Sequence, residues 1–374
     1  MDLSTVLLLG AVAAGLSAAF GAGYRRVGTS LGDLATGALI GVLVGTLTAV
    51  VLVLTADLDR FGLLHLLYLL TVVAIPLACL LIVVPNVVDV DYRTPIRALG
   101  LVLIGLTLGL SGLWATYVEP TRLKVDRQAL GATGASRPVI VGVIADLHLT
   151  SVGDYEREAV AEVLDSAPEV VILPGDLYEI DDDDLATRLP EYIGLVRRIT
   201  DSVGTVVLTV GHSDDADVLA EIADATGAVF LNDQVLDIVI DGQPITIAGL
   251  SYPPADDGAS IDPTLDDLLR DNYGPDDLVI LVSHSPDAVL MISDRLPIDL
   301  LISGHTHGGQ ISLPGLGPVF PRSDLPRVVA AGGLHLVNGH PVYVSTGVGV
   351  ERDQAPPVRF RSRPSVGVIT IVPS

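Results

Sequence analysis

Val139-Ile140-Val141-Gly142-Val143-Ile144-Ala145-Asp146-Leu147-His148 decides how this chain is read. The run 139–144 is apolar and rich in β-branched residues, and an aspartate and a histidine follow it, one residue apart. An apolar run of that length without alternation predicts a strand buried on both faces. Polar groups placed just past such a strand are the first candidates for a site.

Four more runs repeat the pattern. Run 170–173 leads to Pro174-Gly175-Asp176, and 205–210 to Gly211-His212-Ser213-Asp214. Run 278–282 leads to Ser283-His284, and 300–302 to Ser303-Gly304-His305-Thr306-His307. Segments 156–164, 185–199, 217–225 and 263–269 lie between them and read as helices. Strand–helix alternation predicts an α/β domain with largely parallel pairing. The β-rich stretches 235–249 and 341–372 are candidates for further strands.

In an open α/β sheet, ligands bind beyond the carboxyl ends of the strands. Residues scattered along the chain converge there. In Asp146-x-His148 and His305-x-His307, alternate residues of an extended segment point the same way. Each pair can therefore aim two ligands at one place. A single strand-end histidine or aspartate is ordinarily a cap or a surface residue. Here five of the eight histidines, with two aspartates, sit at strand ends. That clustering points to metal binding. Imidazole and carboxylate suit Zn, Mn, Fe or Ni without choosing among them, and a metal pair can clamp an in-line displacement. His335 and His340 have no such placement.

Composition bounds the partners. Of 374 residues, 45 are Asp or Glu and 21 are Lys or Arg, a formal net charge of -24. Such a surface repels phosphate backbones, so nucleic acid is not an expected partner. The single cysteine, Cys79, allows neither an intrachain disulfide nor a cysteine-based zinc knot.

Hydrophobic residues make up 49% of the chain, an average over two unlike parts. Stretches 3–20, 34–55, 61–84 and 98–118 each approach the ~20 apolar residues that cross a bilayer core as a helix. Trp114 and Tyr117 would suit the interfacial aromatic belt. The expected organisation is a four-span transmembrane region at 1–118, a linker at 119–138 and a hydrolytic domain at 139–374. Arg25 and Arg26 flank the first span on its C-terminal side. If they face the cytoplasm, both termini and the domain lie outside a multi-pass cell-membrane protein.

The order Asp-x-His, Gly-Asp, a Gly-Asn-His-like element, His and Gly-His-x-His resembles the calcineurin-like metallophosphoesterase superfamily. The stretch from Ser303-Gly304-His305-Thr306-His307-Gly308-Gly309-Gln310 to Leu313-Pro314-Gly315 resembles its subgroup with transmembrane helices ahead of the domain. The likeness spans about residues 139–372 and matches the membrane region in layout only. It implies a four-layer α-β-β-α sandwich and a phosphoesterase needing two divalent ions. It implies that Asp146, His148 and His307 hold one metal, that Asp176 bridges, and that His284 and His305 hold the other. The substrate would be a phosphomonoester, phosphodiester or pyrophosphate, with a lipid-linked phosphate attractive for a membrane protein.

The third element departs from the family. In the ungapped register His212 replaces the asparagine that ligates the second metal, and Ser213 replaces the histidine that assists the leaving group. A shifted register keeps His212 as that histidine and loses the asparagine to Gly211. His212 is thus a candidate metal ligand in the first register and a candidate catalytic residue in the second, with Asp214 a stand-in acid. The alternative function is a catalytically weakened or inactive metal-binding membrane sensor or scaffold.

Overall fold

The structure, a computed structural model, describes residues 65, 68–77, 79 and 95–374, except 181, 253–261, 270–273, 275–276, 294 and 353–354. Residues divide into two compact units: Met1–Val118 with Glu351–Pro357, and Glu119–Val350 with Val358–Ser374.

In the first unit, helix α1 (Pro95–Leu113) runs on through a wide turn at Trp114–Val118. Leu99, Leu103, Leu106, Leu110 and Leu113 are exposed along it. Among the described residues, one helix, Leu99–Thr121, is long and apolar enough to cross a membrane. The expected spans 3–20 and 34–55 lie outside the described residues, as does half of 61–84.

Among the described residues the second unit holds fourteen strands: β1 Lys124–Ala132, β2 Val139–Val143, β3 Val170–Pro174, β4 Thr205–Thr209, β5 Val229–Phe230, β6 Gln234–Ile240, β7 Gln243–Gly249, β8 Leu278–Val282, β9 Leu300–Ser303, β10 Ser312–Leu313, β11 Gly317–Pro318, β12 Gly333–Val337, β13 His340–Val344 and β14 Ser365–Pro373. Twelve of them build two six-stranded sheets, ordered β1-β14-β2-β3-β4-β5 and β12-β13-β9-β8-β7-β6. β2, β3, β4 and β5 pair in parallel, as do β7, β8, β9 and β13. The five strands read from sequence are all present.

Side-chain alternation shows how the layers stack. Val139, Val141 and Val143 join Val170, Ile172, Leu278, Ile280, Leu300 and Ile302 in one fully buried cluster between the sheets. Their neighbours Val171, Leu173, Val206 and Leu208 face the opposite way. There they meet helices α2 (Asp154–Leu164), α3 (Asp182–Thr200) and α4 (Ala216–Thr226). Val279, Leu281 and Leu301 pack outward against α5 (Asp262–Leu269). Both faces of each central strand are therefore covered, which is why these strands read as unbroken apolar runs. Burying such a side chain contributes about 1.5–3 kcal/mol. The result is an α-β-β-α sandwich.

The stretch expected as a linker, 119–138, contains β1 instead. All nine of its residues pair in parallel with β14, from Lys124↔Ser365 to Ala132↔Pro373. β1 is an edge strand with alternately exposed positions, so charged and small residues interrupt its apolar signal.

Candidate metal centre

The parallel strands β2, β3, β4, β7, β8 and β9 deliver their following loops to one rim of the sandwich. Asp146, His148, Asp176, His284 and His307 are all buried there. Two groups have ligand atoms mutually within 4.8 Å: Asp146, His148, Asp176 and His307, and Asp176, His284 and His305.

Asp176 belongs to both. Its Oδ2 lies 3.4 Å from His148 Nε2 and 3.2 Å from His284 Nε2. Its Oδ1 accepts the Ser213 amide at 2.8 Å, with the Ser213 hydroxyl at 3.2 Å. One carboxylate oxygen is thus fixed by the β4 loop, and the other faces both groups. His148 Nε2 and His307 Nε2 stand 3.0 Å apart, and His305 Nδ1 lies 3.2 Å from His284 Nε2.

The rings are held from behind. His284 Nδ1 lies 2.9 Å from the Pro174 carbonyl; a carbonyl only accepts, so that nitrogen carries hydrogen and Nε2 is turned to Asp176. His148 Nδ1 lies 3.2 Å from Glu179 Oε2. Carboxylates and carbonyls behind imidazoles are the usual way to orient metal-ligating histidines. Asp146 Oδ1 accepts the His305 amide at 2.8 Å, while its Oδ2 is buried with no partner. A buried carboxylate oxygen left unpaired is costly. A cation at that point would satisfy it, so the donor set fits divalent metals.

Backbone strain concentrates at the same place. Asp146, His148, Asp176, His305 and His307 all have φ between 42° and 68°. Non-glycine residues in this region cost of order 1–3 kcal/mol each and cluster at functional sites. Gly211 lets the β4 loop close on Asp176, because a Cβ there would come within 2.2 Å of the Asp176 nitrogen. Gly347 plays the same part beside Asp146, where a Cβ would sit 2.8 Å from Oδ2.

The charges are strongly coupled. Burial opposes protonation of His148, yet Asp176 and Glu179 outweigh it and push the ring up to about 10. His284 is pushed up to about 9, again against burial, by Asp176 and Asp146. Burial and neighbouring cations hold His305 and His307 well below the usual histidine range. Both raised imidazoles report the negative field of Asp176, which a cation in the pocket would meet.

Two expected site residues are placed otherwise. His212 belongs to neither group; its exposed ring meets Tyr252 edge-on, with centroids 5.9 Å apart. The turn that aims the Ser213 amide at Asp176 carries the His212 side chain outward. Asp214 accepts the Leu177 amide at 2.8 Å on Oδ1 and the Gly211 amide at 2.9 Å on Oδ2. Burial first, and then Asp176, push its carboxyl up to about 7. With both oxygens joining the β3 and β4 loops, Asp214 is a loop clasp and does not offer itself as a proton donor.

Three other residues complete the setting. Glu179 backs His148. Tyr252, just past β7, sets its ring against His284 and His305, with centroids 5.0 and 5.8 Å away. Arg359 is fully buried, and its Nη2 lies 3.1 Å from His307 Nδ1. Glu179 and Tyr252 both follow strand ends and could have been found by that rule. Nothing in the sequence around Arg359 marks it.

Residues 140–309 match the family described as Calcineurin-like phosphoesterase. The chain is 28% identical over 285 residues to "Uncharacterized metallophosphoesterase YkuE" of Bacillus subtilis (strain 168), spanning 71% of this chain and 91% of that protein. It is 23% identical over 271 residues to "Phosphodiesterase YaeI" of Escherichia coli (strain K12), spanning 68% of this chain and 91% of that protein. A solved dimetal phosphatase from Danio rerio shares 14% identity and covers 63% of this chain and 99% of its own. Its TM-score is 0.37, a similarity too distant to bear on the chemistry.

Proposed function

We propose, from the match of residues 140–309 to the Calcineurin-like phosphoesterase family and the likeness to a curated metallophosphoesterase, that the chain is a membrane-anchored phosphoesterase using two divalent ions. The reaction is hydrolysis of a phosphomonoester, phosphodiester or pyrophosphate. The relative named as a phosphodiesterase favours the diester. The helix Leu99–Thr121, with leucines exposed along its length, supports the anchor.

The observation that carries this reading is Asp176 Oδ2 facing both ligand groups. Asp146, His148 and His307 would hold one ion with Asp176, and His284 and His305 the other. The ions, when bound, would supply positive charge at the phosphoryl oxygens and lower the pKa of water at neutral pH. The chain's own residues fix the geometry. Pro174, Glu179 and Arg359 orient three imidazoles, Ser213 orients the shared carboxylate, and the two sheets exclude bulk water from the buried donors.

His212 would not ligate. Its place beside Tyr252, on the open side of the second group, suits a proton donor to the leaving group. Losing such a group typically lowers rate about 10²–10⁴-fold. Aryl phosphates and pyrophosphates, whose leaving groups need little help, would be least affected by that loss.

The test is turnover of aryl phosphate mono- and diesters by the full chain with Mn or Zn. Turnover that is removed by chelation and absent from Asp176→Ala supports the proposal. No turnover in the wild-type chain under either metal favours the sensor or scaffold reading.

A further inference from the structure

The loop beyond His307 is poor in acids for its place in the second unit. From Gly304 to His340 there is one acidic residue, Asp324, beside Arg322 and Arg327, although acids outnumber bases 45 to 21 overall. Within this stretch, strands β10 and β11 form a small antiparallel hairpin, with Ser312 opposite Pro318 and Leu313 opposite Gly317. Leu316 is 53% exposed, with Leu313 at 40% and Phe320 at 41%. Pro314 and Gly315 at the tip are exposed too.

This hairpin is firmly seated at its base. The Val319 amide donates to the Ile311 carbonyl at 2.8 Å, and the Ser312 amide to the Phe360 carbonyl at 2.8 Å. Arg327 donates to the Pro318 carbonyl. A Cβ on Gly309, two residues past His307, would come within 2.5 Å of Pro318. Arg322, just past the hairpin, is close enough to act electrostatically on both His305 and His307. An apolar tip therefore projects from the rim of the metal centre, with a guanidinium behind it.

Exposed apolar clusters rimmed by polar groups mark interaction sites. A two-strand hairpin with a Pro-Gly tip offers a point for insertion and too little area for a stable protein interface. A single acid against two arginines suits an anionic lipid headgroup layer, which would repel the acidic remainder of the surface. We propose that the hairpin at Ser312–Pro318, with Phe320, inserts into the headgroup and upper acyl region of a lipid bilayer. The metal centre beside it then takes phosphoesters carried by membrane lipids, a consequence that rests on the phosphoesterase reading.

The chain has one tryptophan, Trp114, so a reporter is simple to place. In full-length chain carrying Trp114→Phe and Leu316→Trp, reconstituted into phosphatidylcholine–phosphatidylglycerol vesicles, the indole should emit blue-shifted. It should be quenched by lipids brominated near the headgroup. The same reporter at Val239→Trp, on exposed β6, should stay unquenched. A water-like unquenched indole at 316 overturns the proposal, as does a blue shift without quenching, the mark of a protein partner. Equal quenching at 316 and 239 also overturns it. A second arm compares hydrolysis of phosphatidic acid in vesicles with its soluble short-chain analogue; a faster vesicle reaction is expected, and equal rates overturn the lipid-substrate half. Quenching is read without turnover. A quenched indole in a chain that hydrolyses neither ester would refute the phosphoesterase reading and the lipid-substrate half, and leave the membrane contact standing.

Discussion

Arg359 Nη2 donates to His307 Nδ1 at 3.1 Å, so the two imidazoles of the first ligand group are backed by opposite charges: His307 by a guanidinium, His148 by the Glu179 carboxylate. A carboxylate raises the donor strength of a ligating ring; a guanidinium donating to Nδ1 instead fixes where the ring sits. Arg359 also donates to the Gly347 carbonyl at 3.2 Å and the Ser362 carbonyl at 3.3 Å. It thereby joins the loop pressed on Asp146 to the loop that carries His307.

Arg359→Lys should lower metal affinity at the first group, because the His307, Ser362 and Gly347 carbonyls lose the donor that holds their loops together. Combining it with His307→Ala should add little further loss, because the arginine acts through that ring. Calorimetric titration with Mn checks both. Fully additive losses would show that Arg359 supports the fold without positioning His307.

Glu179→Gln should weaken metal binding about 10–100-fold, with secondary structure unchanged. Affinity equal to wild type would mean that His148 needs no orienting carboxylate.

His212→Ala should leave metal content unchanged and reduce turnover most for alkyl esters, by up to about 10²–10⁴-fold. A lost ion would restore the ligand role expected from sequence. An equal loss on aryl and alkyl esters would remove the proton-donor role.

Gly211→Ala should destabilise the domain by about 1–3 kcal/mol, since its Cβ would meet the Asp176 nitrogen at 2.2 Å and Oδ1 at 2.4 Å. Thermal unfolding with and without metal measures it. An unchanged midpoint would mean that the β4 loop can withdraw from Asp176.

The ligand groups were legible because each side chain follows a strand buried on both faces, and such strands announce themselves as apolar runs. Asp146, Asp176, His284 and His307 needed no long-range contact to be found, since the carboxyl ends of parallel strands share one rim. β1 was hidden because an edge strand keeps every second residue of its outer part in water, and its charges read as linker. The orientation of His212 and Asp214 was hidden for another reason. Which of four consecutive loop residues faces a site depends on one turn, and Gly211 sets that turn by approaching Asp176, a contact of 35 positions in sequence. Arg359 lies beyond any local rule, because its partners are carbonyls brought together only by the finished sandwich.

Metal content of the full chain, measured by elemental analysis after Mn or Zn loading and desalting, tests the shared carboxylate directly. The account predicts about two ions per wild-type chain and fewer than about one in a folded Asp176→Asn variant, since loss of that charge weakens both groups together. Two ions retained in Asp176→Asn, or none in the wild-type chain, would contradict it.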